Sequence, residues 1–167
     1  VKFTLPTGAA FTQAAQGTAE QDSNADTTTG STASVTLASG ASDQTLDAGL
    51  APARISGTVL KDLNANGVKD SGETGIAGVT ITLTGVDALG QPVTATATTD
   101  ANGVYSFAVL PGTYTLKETT PVDYLSSGSL AGSATGAAIV NEDELTTPAV
   151  GGATSEHNDF LDYRVGS

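Results

Sequence analysis

The chain has 167 residues, with 18 Asp plus Glu against 6 Lys plus Arg, a formal net charge of -12, no Cys and one His. That length permits one or two domains with a real core. With no basic stripe to meet phosphates, nucleic acid is excluded as a partner and anionic membrane surfaces repel the chain; missing thiols exclude disulfides and thiolate metal sites. A single histidine, His157, excludes a multi-His metal site, and no Ser or Thr has a base beside it in a recognisable triad. Apolar runs are too short to span a bilayer, so no membrane insertion is expected, and no signal peptide is visible.

Thr, Ser, Ala, Gly and Val dominate, and short alternating runs are punctuated by Gly, Pro, Asn and Asp. In chain order the pattern predicts strands over 1–5, 33–37, 45–50, 55–60, 79–84, 93–99, 104–109, 112–118, 137–140 and 158–164. So many short strands with turn signals between them predict an all-β sandwich. In the first stretch, Leu5-Pro6-Thr7-Gly8 reads as a strand ending in a turn. Asp22, Asn24 and Asp26 then place oxygen donors on alternate residues, without a Gly and closing Glu in register. They make either a partial cation site, completed by Asp47 or Asp43, or a plain loop.

One internal correspondence organises the chain. The run from Tyr114 to Tyr124 matches that from Val1 to Phe11 as strand, proline-bearing turn, then aromatic, and Leu46-Asp47-Ala48-Gly49-Leu50 falls where Asn158 to Tyr163 falls in the second copy. Residues 1–50 therefore read as the closing strands of one module, 51–54 as a short linker and 55–165 as a complete second module.

Residues 62–73 fit the calcium-loop pattern D-x-[DN]-x-[DN]-G-x5-E at every specified position. Asp62, Asn64 and Asn66 bring oxygens on alternate residues, and Gly67 permits the sharp turn. Val68 offers its carbonyl, Asp70 binds directly or through water, and Glu73 closes the set with two oxygens. Ca2+ takes about six to eight hard oxygens, and this loop alone supplies about seven. The flanking segments alternate in β-branched fashion, so the loop is expected between strands rather than helices. Asn66-Gly67 is also a strong hairpin signal, but a mere turn does not require acids at both ends. A calcium-loaded fold belongs where the ion is abundant, outside the cell.

Beyond the loop, Asp100-Ala101-Asn102-Gly103 is a tight turn between two strands. Asp100 and Asn102 either add to a metal site or simply shape that turn. Tyr105 with Phe107, and Tyr114 with Leu116, share strand faces and are expected between the sheets with Val59, Val79, Ile81 and Leu83. The Ser/Thr/Gly-rich stretches 125–136 and 146–155 read as loops, and Glu142-Asp143-Glu144 as a solvated acidic patch.

From Ile55 onward the ordered set is distinctive: Gly57-Thr58-Val59 into the acidic loop, then 75–83, 99–107 and Leu110-Pro111-Gly112-Thr113-Tyr114. Together these resemble an SdrD B-like repeat, a calcium-binding relative of the Cna-B modules. The resemblance implies a Greek-key, prealbumin-like β-sandwich that serves as a stalk or fibre module on a bacterial cell surface. Neighbouring repeats of the same protein would be its partners. The run from Tyr114 to Tyr124 also resembles the E-box of Cna-B modules, which implies a Lys–Asn isopeptide bond promoted by a buried Glu. Its members here would be Lys61, Glu118 and Asn158, although Lys61 directly precedes the ligand Asp62. Two other readings are a domain binding a host protein or glycan through loops 125–136 and 146–155, and a filament subunit completed by strands of another copy. No enzymatic arrangement of residues is recognisable.

Overall fold

A computed structural model describes residues 1–16, 18 and 22–166. Among the described residues there is no helix, and ten strands lie between Ala53 and Arg164. They are β1 (Ala53–Lys61), β2 (Thr80–Asp87), β3 (Pro92–Thr98), β4 (Val104–Val109), β5 (Gly112–Thr119), β6 (Tyr124–Leu130), β7 (Ala138–Asn141), β8 (Glu144–Ala149), β9 (Thr154–Ser155) and β10 (Asp159–Arg164). One sheet runs β4-β1-β10-β6, with β9 also on β1; the other runs β3-β2-β5-β8-β7. The chain is therefore an all-β sandwich.

Strand alternation builds the core between the sheets. Ala53, Ile55 and Val59 of β1, Tyr105, Phe107 and Val109 of β4, and Phe160 of β10 meet Ile81, Leu83, Tyr114, Leu116, Leu145 and Ala149 of the second sheet. The rings of Tyr105 and Phe107 pack edge to face, centroids 6.0 Å apart. All eight residues expected in the core are buried.

Two strands share one edge of β1. β9 pairs with its first half and β10 with its second, both parallel. Between them His157 adopts a φ of 61°, and Asn158 turns its amide inward to donate to the carbonyls of Ser56 and Ser155 at 3.0 and 3.1 Å. Gly57 makes this crossing possible, because a Cβ there would stand 1.9 Å from the Asn158 carbonyl oxygen. Gly57→Ala should therefore cost about 2–3 kcal/mol by forcing the closing strand outward. Urea denaturation checks this, and a loss below about 0.5 kcal/mol would speak against it.

Several expectations need correction. Residues 1–5, 33–37 and 45–50 are not strands; the described residues of this region make only isolated bridges, Lys2 with Ser31, Ala14 with Ser23 and Phe11 with Leu50. Their alternation has no partner strand to pair with, and Val35 and Leu37 stay exposed. Conversely, the stretches 125–136 and 146–155 are strand over 125–130, 146–149 and 154–155, while 131–136 and 150–153 are loops as expected. β6 pairs with β10, while β8 pairs with β5 and β7 and buries Leu145, Thr147 and Ala149. Ser and Thr in the strand parts reflect half-buried strand faces, so the expected loops shorten to 131–136 and 150–153.

Candidate metal centre

The acidic loop leaves the end of β1 and is held against the closing strand. The Lys61 N–H donates to the Thr74 carbonyl, and the Asp62 N–H to the Asp162 carbonyl, both at 2.8 Å. Asp62 itself is buried. Its Oδ1 accepts from the N–H groups of Asn64 and Asn66 at 3.1 and 3.3 Å, and its Oδ2 from Gly67 at 2.8 Å. Burial by itself would raise the Asp62 carboxyl. The Gly67 N–H, the Ser127 hydroxyl and the Asn64 and Asn66 N–H groups outweigh it and hold the pKa below the ordinary value.

The remaining donors fold onto the same centre. Asn64 and Asn66 both donate their amide N–H to Asp70 Oδ2 at 2.9 Å. Glu73 spans the two ends of the loop, accepting from Leu63 N–H at 3.3 Å and Asp70 N–H at 3.0 Å. Two left-handed residues close the turn, Ala65 at φ 55° and Gly67 at φ 68°. Gly67 is required on two counts, since a Cβ there would also lie 2.4 Å from the Ser127 carbonyl oxygen. Ser127 is the extra residue where the β6–β10 register shifts, so a bulge aims β6 at the loop.

This donor set fits a hard divalent cation. Asp62, Asp70 and Glu73 supply three carboxylates, and each accepts N–H groups from its own loop. The loop's one cation, Lys69, turns away and binds Asp159 Oδ2 at 2.8 Å. Among the described residues, no three Asp, Glu, His or Cys side chains form a cage by themselves. The amides of Asn64 and Asn66 lie beside these carboxylates through Asp70, and mixed carboxylate and amide oxygens are donors that Ca2+ accepts.

Other expected positions are placed differently. Asp100 Oδ1 accepts from Asn102 and Val104 N–H at 2.8 and 2.9 Å, so these residues shape their own turn. Asp26 likewise caps Thr28 and Thr29. Asn24 is joined to Asp47 by two hydrogen bonds, at 3.0 and 2.9 Å, whereas Asp43 is occupied with Thr45. Asp22 Oδ1, Ser23 Oγ and Asp47 Oδ1 are buried with no hydrogen-bond partner among the described residues. The isopeptide trio is not assembled. Register sets Lys61 beside Asp162, while Asn158 lies against Gly57, about 13 Å further down the strand. The Asn158 amide is already engaged by Ser56 and Ser155.

Glu118 does not stand alone, however. It faces Asp162 across the sandwich, and Asp143 approaches from the β7–β8 turn. Asp143 is thus not merely part of a solvated patch. Burial, then the neighbouring Asp162 and Asp143, push the Glu118 carboxyl up to about 10, and burial also raises Asp162. Sequence pattern held one clue to Asp162: it sits two residues from Phe160, on the inward face of an apolar strand. A carboxyl raised on folding contributes most below its unfolded pKa and loses that contribution as pH rises through the folded one. Without metal, stability should therefore fall between about pH 4.5 and 10, and Glu118→Gln should flatten the slope in chelator-containing melts. A metal-free protein equally stable at pH 5 and 9 would contradict this.

With the geometry described, comparison with known proteins adds kinship. The family model described as SdrD B-like domain matches residues 1–50 and again 53–163. Serine-aspartate repeat-containing protein D of Staphylococcus aureus (strain Newman) is 37% identical over 139 residues, covering 81% of this chain and 10% of that protein. Serine-aspartate repeat-containing protein E of Staphylococcus aureus (strain MSSA476) is 38% identical over 130 residues, covering 74% of this chain and 10% of that protein. The chain thus spans about a tenth of the length of these relatives.

Proposed function

Since the chain belongs to the SdrD B-like domain family, we propose that it is a structural repeat of a bacterial surface protein, a stalk spacer stiffened by Ca2+. The ion would be held by Asp62, Asn64, Asn66, Val68, Asp70 and Glu73. One observation carries this reading: the loop gathers three carboxylates while its only lysine is anchored on β10. Bound there, Ca2+ supplies charge neutralisation and a rigid cross-link. Asp62 ties the end of β1 to β10, Glu73 ties the loop's last turn to its first, and Lys69 clamps the outer turn. An ion in this position links the first strand of the sandwich to its last.

The role is mechanical rather than catalytic, with neighbouring repeats of the same protein as partners. Millimolar extracellular Ca2+ would fill even a weak loop, of about 10⁻⁴ to 10⁻³ M affinity. Stretching the chain between its termini in an optical trap tests the idea. The sandwich should unfold at higher force in CaCl2 than in EDTA, and Glu73→Gln should remove most of the difference. Equal forces in both buffers would sink the stiffening role.

A further inference from the structure

Three carboxyl groups from distant parts of the chain meet beside the strand end that holds the loop, where the Asp62 N–H donates to the Asp162 carbonyl. Glu118 comes from β5, Asp162 from β10 and Asp143 from the β7–β8 turn. Glu118 is 2% exposed and Asp162 fully buried. Among the described residues no third group bonds either Glu118 oxygen or Asp162 Oδ2, and the two carboxyls lie close enough to bond each other only when one of them holds a proton. Leaving such groups unsatisfied in a core is costly. The hydroxyl of Ser126 stands among them, 3.3 Å from Asp162 Oδ1 and hydrogen-bonded to Asp143.

We propose that Glu118, Asp143 and Asp162, with the Ser126 hydroxyl, form a second cation site that takes a hard divalent ion, Ca2+ or Mg2+. Every donor is an oxygen, which selects hard cations over zinc or copper. Asp143 also lines a surface depression of about 550 Å3 with Lys117, Asn141 and Glu142, which keeps this member of the trio in contact with solvent. The three side chains are not drawn into a finished cage. Asp143 instead leans on Ser126 and Thr120, so its rotation inward accompanies loading. In the metal-free protein, protons take the ion's place, in keeping with the raised Glu118 carboxyl.

Counting ions bound to the full chain by native mass spectrometry at pH 7.5, in Ca2+ and separately in Mg2+, decides the matter. The Glu118→Gln/Asp162→Asn variant should carry one ion fewer than wild type in at least one of the two salts. It should also carry one fewer when both are compared in a Glu73→Gln background. Amides of the same shape relieve the repulsion, so this variant should melt in EDTA no lower than wild type. If it fails to fold, Asp143→Asn, at a half-exposed turn, should still weaken the ion at least tenfold. An unchanged ion count in both salts, or unchanged affinity in Asp143→Asn, would overturn the proposal. Failure of Glu73→Gln to lose an ion would instead count against the loop.

Discussion

In excess EDTA the protein should melt on the order of 10 °C below its Tm in millimolar CaCl2. An ion that binds only the folded state stabilises it by about 2.7 kcal/mol at 100 times Kd, and by about 4.1 kcal/mol at 1,000 times. The whole effect passes through the sandwich, because Asp62 is joined to Asp162 and Ser127 on β10 and β6. Glu73→Gln should remove the loop's share of the shift by taking one charge and the bidentate closure. Acid should act in the same direction. Asp62 has its carboxyl held low, so its contribution is present above the ordinary carboxylate pKa and fades as pH falls through the lowered value. Identical melts in both buffers would leave the loop as a turn held by its own hydrogen bonds.

Lys69→Met should cost about 2–3 kcal/mol, a large loss for a residue whose side chain is 42% exposed. Its partner explains the size. Asp159 is 1% exposed. Its Oδ1 accepts from Thr58 N–H at 2.8 Å, and its Oδ2 depends on Lys69. Removing the lysine strands a buried charge, while solvent at the exposed ammonium keeps the loss at the lower end of the range for broken buried pairs. Adding Asp159→Asn should return much of it, and urea denaturation of the four proteins in a double-mutant cycle reads the coupling. A cost for Lys69→Met below about 0.5 kcal/mol would mean that the outer turn is not clamped.

The parts of this molecule that could be read in advance are those encoded locally. Residues 62–73 carry their oxygen-donor pattern within a single loop, and hydrogen bonds join Asp62, Asn64, Asn66, Asp70 and Glu73 there. The strands from Ile55 to Leu116 alternate strongly enough that their core residues could be named. Tertiary pairing decided the rest. β6 and β8 look like loops by composition, and become strands because β10 and β5 offer edges to them. Residues 33–37 alternate well but find no partner, and remain extended and exposed. Glu118 was legible only as a possible promoter of a lysine–asparagine bond. Its true companions, Asp143 and Asp162, lie in segments distant along the chain, and only the register of β5, β8 and β10 brings them together. The lysine anchored on Asp159 was invisible for the same reason, since 90 residues separate the pair.

The central claim is that the loop between β1 and β2 is a calcium centre, and a crystal structure of protein grown in CaCl2 tests it most directly. The account predicts an anomalous calcium peak enclosed by oxygens of Asp62, Asn64, Asn66, Val68, Asp70 and Glu73, with Asn64 and Asn66 released from Asp70. A loop without such a peak, its two asparagines still bonded to Asp70, would contradict it.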